Sequence, residues 1–467
     1  MIADLKPYPK YKDSGLPWVG QVPAHWKLVP NRGLVRRRKV LVGKRHADYR
    51  LLSLTKQGVI VRDMTTGKGK FSSDMGTSQE VRSGDIVFCL FDVPETPRTV
   101  GLSRHDGMIT GAYTVFESRG KGSTEYFELF YRALDDRKLL SPLYSGLRNT
   151  IPVDRLLGTK TPQPPPEEQA AIVRFLDWAN IRLERAIRAK RQVIVLLNEQ
   201  KQATIYRTVT RGLDPLASIK CSGIAWIGDI PSRWTLRRVK SISQVKRGSS
   251  PRPIADIRYF SESGEYGWVR IRDVTACNGY LTSTAERLSD IGKSKSVPIE
   301  PGSLFLSIAG SVGKAAITKI KCCIHDGFVY FPKITSNAEY LYYVFSCGRI
   351  YDGLGNVGTQ LNLNTETVGA ICVPWPSPRE QVEIAAFCDK ESDRFAEAIS
   401  RLEREIEFLR EYHARLVTDV VTGKLDVRAV AATLPDAPAQ GDDNDDVLDD
   451  DVLDEEALET DDMDAAA

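Results

Sequence analysis

The strongest constraint in this chain is a repeat. The phrase SGLPWVGQVPAHW (Ser14 to Trp26) returns as SGIAWIGDIPSRW (Ser222 to Trp234), 208 positions later. PPEEQAAIVRFLD (Pro165 to Asp177) returns as SPREQVEIAAFCD (Ser377 to Asp389), and VTRGLD (Val209 to Asp214) as VTGKLD (Val421 to Asp426), both 212 positions on. Between these marks the halves diverge, with scattered matches such as Gly84 in SGDIVF against Gly302 in PGSLFL. At 467 residues the chain is too long for one core. A repeat of this kind builds one structural plan twice and lets the segments between the marks vary.

The later marks read as the starts and ends of long helices. Pro166 and Pro378 stand where a first helical turn favours proline. Ser377 and Glu380 have capping-box spacing, which satisfies two otherwise free backbone N–H groups. In the first segment Ile172, Leu176, Ala179, Leu183, Ala186, Val193 and Leu197 follow a 4-3 spacing interrupted by Lys190. In the second, Ile384, Cys388, Phe395, Ala398, Leu402, Ile406 and Leu409 keep a similar stripe. A narrow apolar stripe on a charged helix suits a coiled-coil seam, with Leu176, Leu183, Leu197, Phe395, Leu402 and Leu409 as partner contacts. Each helix stops near a glycine, Gly212 or Gly423. About 45 residues of helix reach roughly 67 Å, close to two turns of duplex DNA at about 34 Å each.

The variable segments alternate short β-rich runs, such as GDIVFCLF, GAYTVF, YGWVRIRDV and GSLFLSIAG, with Gly, Pro, Ser and Asn turns. They predict two mixed α+β globules, at about 27–160 and 235–372. The tryptophan phrases read as rigid turns that pack each globule against the helices.

Charge is unevenly divided. No Lys or Arg follows Arg428, while fifteen acidic residues lie between Asp436 and Asp464. The rest of the chain holds 64 basic against 46 acidic residues, a net of +18. A basic body points to a polyanion, and a solubilising charge excess is the alternative. The acidic end, nearly free of aromatics, reads as disordered. No run of eighteen apolar residues suggests a membrane span. The first residues lack the apolar core of a signal peptide. Eight irregularly spaced cysteines and five scattered histidines form neither a disulfide framework nor a metal pattern. The expectation is a cytoplasmic, thiol-reduced protein without a metal site.

Catalytic signatures are missing. IAGSVGKAA lacks a phosphate loop's first glycine, at Ile308, and its final hydroxyl, at Ala315. PQPPPEE lacks the aromatic of an adenine methyltransferase motif, and Glu199 to Lys201, half of a nuclease signature, lies inside the long helix. No catalytic residue is assigned. Binding residues are more evident. NRGLVRRRKVLVGKR carries Arg36, Arg37, Arg38 and Lys44, and LRRVKSISQVKRGSSPRP carries Arg237, Arg238, Lys246, Arg247 and Arg252. Their similar placement suits phosphate contacts, and a solvated face has the same composition. In WVRIRDV, strand alternation puts Trp268, Arg270 and Arg272 on one face, where arginines reach guanine edges or phosphates. Gly310, Ser311, Gly313 and Lys314 could aim backbone N–H groups at a phosphate. Arg148 and Asn149 in LRNTIP, and Gln360 and Asn362 in TQLNLN, occupy matching places and hydrogen-bond bases readily, though Asn is also a common turn residue.

The paired SG..W.G..P..W phrases, the paired P..EQ helix starts and the VT.G.LD-like ends resemble the specificity subunit of type I restriction–modification enzymes. The match covers about residues 1–430, and the acidic tail is not part of it. The resemblance implies an α+β chain: a first target recognition domain (1–160), a first spacer helix (161–215), a second recognition domain (216–372) and a second spacer helix (373–430), followed by the acidic tail (431–467) whose composition reads as disordered. It also implies that the helices pair as an antiparallel coiled coil and that each domain reads half of a bipartite sequence in double-stranded DNA. Two modification subunits, which use S-adenosylmethionine for N6-adenine methylation, and restriction subunits, which use ATP and Mg2+ to translocate and cut DNA, are the implied partners. This chain would carry no cofactor. The two variable segments look unlike, so an asymmetric target is expected. An orphan or modification-only specificity subunit, and a coiled-coil scaffold that does not bind DNA, remain as alternatives.

Overall fold

The structure, a computed structural model, describes residues 5–62, 75–120, 122–352, 354 and 363–435. The chain divides into two compact units, Met1–Lys190 with Glu403–Asp443 and one built on Arg191–Leu402. Two long helices, Pro166–Arg211 and Pro378–Val421, each give half their length to each unit. Ser377 forms the expected capping box: its N–H donates to Glu380 Oε2 (3.1 Å) and Glu380 N–H donates to Ser377 Oγ (3.3 Å). No helix among the described residues is long and apolar enough to cross a membrane.

In the first unit, strands Tyr11–Asp13 and Gln21–Pro23 form a hairpin that leads into Trp26. Lys27–Pro30 then pairs antiparallel with Lys160–Gln163, the strand that feeds the first long helix. The second unit repeats both pairings, with Ile219–Cys221 on Asp229–Pro231 and Thr235–Arg238 on Cys372–Trp375. Even the register repeats: Lys27 faces Gln163, and Thr235 faces Trp375.

The repeated tryptophan closes each frame. Trp26 is fully buried, and its indole N–H donates to Glu168 Oε1 at 2.6 Å. Tyr8 donates to the same oxygen (2.5 Å), and His25 Nε2 lies 2.8 Å from Oε2. In the second unit buried Trp234 donates to Glu380 Oε1 at 3.1 Å, and Arg233, at the place of His25, donates from Nε (2.9 Å) and Nη2 (2.7 Å). Each indole also covers a helix end. Gly423 and Gly212 hold the left-handed conformation (φ 78° and 74°), and an added Cβ would lie 2.8 Å from Trp26 and 3.0 Å from Trp234. Each unit therefore holds the start of one long helix and the end of the other, which makes the pairing antiparallel.

The seams confirm that direction. In the first unit Ile172, Phe175, Leu176 and Ala179 share a core with Leu416, Val417, Val420 and Val421. In the second, Ile205 and Val209 share one with Ile384, Ala385 and Cys388. Leu183, Leu197, Phe395, Leu402 and Leu409 are half-buried, as a two-helix seam leaves them. Lys190, which interrupts the apolar stripe, ends 2.5 Å from Glu405 on the other helix. Val193, expected in the seam, is exposed, while Ile194 beside it is half-buried.

Between the frame strands the units differ. The first holds a four-stranded antiparallel sheet in the order Val35–Arg38, Thr114–Ser118, Ile86–Phe88, Val100–Leu102. Helix Thr124–Asp136, capped by Ser123, contributes Tyr126, Phe127, Phe130 and Tyr131 to the same core. The second holds a five-stranded sheet, Lys246–Arg247, Phe328–Tyr330, Leu304–Ser307, Ala315–Thr318, Tyr280–Leu281, and a four-stranded one, Glu286–Leu288, Tyr266–Val269, Cys322–Ile324, Val297–Ile299. Both of these contain a parallel pair. The fold is α+β, as expected, with one frame around two different globules.

Two tests follow from the frame. Gly423→Ala and Gly212→Ala combine left-handed strain with a clash against tryptophan, and each is expected to cost roughly 2 kcal/mol or more, seen as a lower thermal midpoint. Burial would raise the Glu380 carboxyl, but donation from Trp234, Arg233 and Ser377 outweighs it and holds the group down at about 2, against an ordinary 4.5. Its stabilisation is complete above pH 4.5 and is lost as pH falls through about 2. Glu380→Gln should therefore lower the unfolding midpoint at pH 6, by about 2–3 kcal/mol of stability, and the gap from wild type should narrow towards pH 2.

Candidate nucleic-acid interface

The basic residues expected at the interface divide into those that serve the fold and those left at the surface. In the first unit, strand Val35–Arg38 is an edge of its sheet, and Arg36 and Arg37 are exposed on it. Arg36 Nε donates to Glu117 Oε1 at 2.6 Å across the strand pair, and Lys44 is exposed in the following turn. Arg38 is buried. Its Nη2 donates to Asp85 Oδ2 (2.7 Å) and to the Glu80 carbonyl (3.2 Å), and Nη1 lies 3.5 Å from Glu80 Oε1. This guanidinium is committed inside the globule. Arg148 and Asn149 sit at an exposed tip beside Leu147; Asn149 adopts φ 44°, and the Arg148 carbonyl accepts from Asp92 N–H. The backbone thus accounts for the asparagine. Gln360 and Asn362 lie outside the described residues.

In the second unit, four segments distant in sequence line one cavity of about 280 Å3: Arg247 with Ser250–Ile254, Trp268 with Arg270, Ala309, and His325–Gly327. Lys246 and Arg247 lie on the edge strand of the five-stranded sheet, and Ser311 and Lys314 on the loop that begins at Ala309. Arg237 and Arg238 belong elsewhere: they sit in the frame strand, with the Arg237 guanidinium 4.7 Å from the Trp375 ring centroid.

Two expectations need correction. WVRIRDV is not one strand. The strand ends at Val269, and Arg270 caps helix Ile271–Ala276 because its N–H donates to the Asp273 carboxylate (2.9 Å). Trp268 is buried rather than displayed, while Arg270 and Arg272 still converge, on Glu286 (3.0 and 3.5 Å). The glycine loop also differs from a phosphate cradle. Gly313 and Lys314 turn their N–H groups back to Ser307, onto its carbonyl (3.0 Å) and its Oγ (2.9 Å).

Residues 231–407 match the family described as the type I restriction modification DNA specificity domain. Over 166 residues, 34% of the chain, the sequence is 30% identical to the MjaIX type I restriction enzyme specificity subunit of Methanocaldococcus jannaschii. The matched stretch, residues 231–407, is similar to the DNA specificity domain of type I restriction–modification systems. The chain spans 38% of the length of that relative. A solved structure titled for the assembly and conformational transition of the type I R-M system covers 86% of this chain and 99% of its own, with a TM-score of 0.63 at 15% identity, which shows a shared fold. The HsdS subunit of Thermoanaerobacter tengcongensis covers 86% and 98%, at 16% identity and a TM-score of 0.45.

The two kinds of arginine are separable by experiment. Arg38→Ala leaves the buried Asp85 without its partner and is expected to cost about 3–5 kcal/mol of stability. Arg37→Ala, at an exposed position, should stay within about 0.5 kcal/mol. Urea denaturation of the two variants checks both.

Proposed function

We propose that the chain is a non-catalytic reader of duplex DNA that recognises an asymmetric, bipartite sequence. It would present that sequence to two modification subunits for N6-adenine methylation with S-adenosylmethionine, and to restriction subunits for ATP- and Mg2+-dependent cleavage. One observation carries this reading: the same frame is built twice, each time around a different sheet. Two equal frames suit a partner contacted twice in related ways, and two unlike globules suit half-sites of different sequence. The contact residues we assign are Arg36, Arg37, Lys44 and Arg148 in the first unit, and Lys246, Arg247, Arg270, Arg272, Ser311 and Lys314 in the second.

Co-expression with the modification subunit in a host lacking DNA methylation, followed by long-read sequencing, tests the proposal. N6-methyladenine at one split motif with two different halves is expected. Replacing the second globule should then change one half only; a change in both, or no methylation despite a stable complex, would overturn the assignment. Duplex binding should also weaken steeply between 50 and 200 mM salt, by roughly 10³-fold or more if six or more phosphates are contacted.

A further inference from the structure

Resting on that reading, we infer that Arg252 and Asp326 form a paired donor–acceptor head that reads one G·C base pair in the half-site of the second unit. They lie 74 residues apart and meet at the mouth of the cavity, with Arg252 Nη2 3.2 Å from Asp326 Oδ2. Arg252 is 70% exposed and Asp326 36%, so both are open to a partner. Asp326 is fixed from three directions. Ser250 Oγ donates to its Oδ1 (2.5 Å), Arg247 Nε donates to its carbonyl (2.6 Å), and Gly248 lets the loop approach, since a Cβ there would lie 2.1 Å from the His325 carbonyl oxygen. Burial alone would raise this carboxyl; hydrogen bonds from Ser250 and its own backbone, with electrostatic contributions from the neighbouring His325 and Arg247, bring it below the usual range. It is therefore an acceptor at neutral pH.

Guanine offers two acceptors, O6 and N7, on its major-groove edge, and its partner cytosine offers one donor, N4. An arginine fork beside a carboxylate presents the complementary set. An A·T pair puts its donor on the purine that must also face the arginine, so it matches less well. The indole N–H of Trp268, buried and without a hydrogen-bond partner, lines the same cavity beside Arg270, whose guanidinium is held by Glu286.

Methylomes of Arg252→Ala, Arg252→Lys and Asp326→Asn, each co-expressed with the modification subunit, test this. Wild type should show a G·C pair at a fixed place in one half of the motif. Arg252→Ala should make that position degenerate, or slow methylation of the original motif about 10- to 100-fold, with the other half unchanged. Arg252→Lys, which keeps the charge but not the fork, should not restore the position. An unaltered motif in Arg252→Ala, relaxation at an A·T position, or equal loss at every position would overturn the assignment while leaving a bipartite DNA reader in place. Absence of any split motif in wild type would instead refute the underlying reading, and this inference with it.

Discussion

Everything in this fold hangs on a tryptophan held between a glutamate at one helix start and a glycine at another helix end. Burying an indole removes roughly 200 Å2 from water, about 5 kcal/mol as an upper bound. A hydrogen bond to a carboxylate adds about 1.5–3 kcal/mol. The apolar term is the larger, so burial supplies most of the stability and the hydrogen bond fixes where the ring sits. Glu168 and Glu380 both stand in the first turn of their helices, where a negative charge also meets the positive end of the helix dipole. One contact thereby ties the end of a globule, the start of one long helix and the end of the other. The first frame has a histidine beside its tryptophan and the second an arginine, and both approach the glutamate. The plan tolerates that exchange because either side chain can donate to a carboxylate.

Much of this was legible before any coordinates. Repeated phrases identify the frame because a structure used twice needs the same residues twice. Proline, the Ser377–Glu380 pair and the terminal glycines bound the helices because backbone groups at helix ends have few ways to be satisfied. Less visible were the places where a local signal competed with a periodic one. Alternation in WVRIRDV predicts a strand through Arg272, but Asp273 offers its carboxylate to the Arg270 N–H and starts a helix there. Val193 keeps the heptad spacing of the first helix, yet it is exposed while Ile194 is half-buried, one turn from where Lys190 reaches Glu405. Composition could not tell Arg38 from Arg37. Strand pairing does so, setting one guanidinium against Asp85 and leaving its neighbour outside.

Separation of frame from globule explains how one chain can hold unlike sheets. The hairpins, the closing strand pairs and the tryptophan contacts all lie at the ends of each variable segment, at positions such as 27–30 and 160–163. A segment inserted between two such strands must bring its ends together and complete a core that it shares with the frame. Contacts far apart in a structure contribute nearly independently to stability. Changes in the globule away from that shared core therefore leave the frame intact, whereas Tyr126, which packs edge-on against Trp26 and donates to the Val421 carbonyl, couples the two.

The cavity of the second globule shows why binding residues are the hardest to read from sequence. Arg252 belongs to a basic run conspicuous on inspection, whereas Asp326 sits in a short HDG turn that carries no signal of its own. Sheet register brings them together. Strand Lys246–Arg247 pairs with Phe328–Tyr330, setting Arg247 opposite Val329, so the residues following one strand must lie beside those preceding the other. The close approach then needs a residue without a side chain, and Gly248 stands there. A change in that register would shift the two loops past one another and separate the arginine from the carboxylate. The geometry of the head is thus a consequence of backbone pairing, and its chemistry is decided by two side chains that the pairing happens to place at one rim.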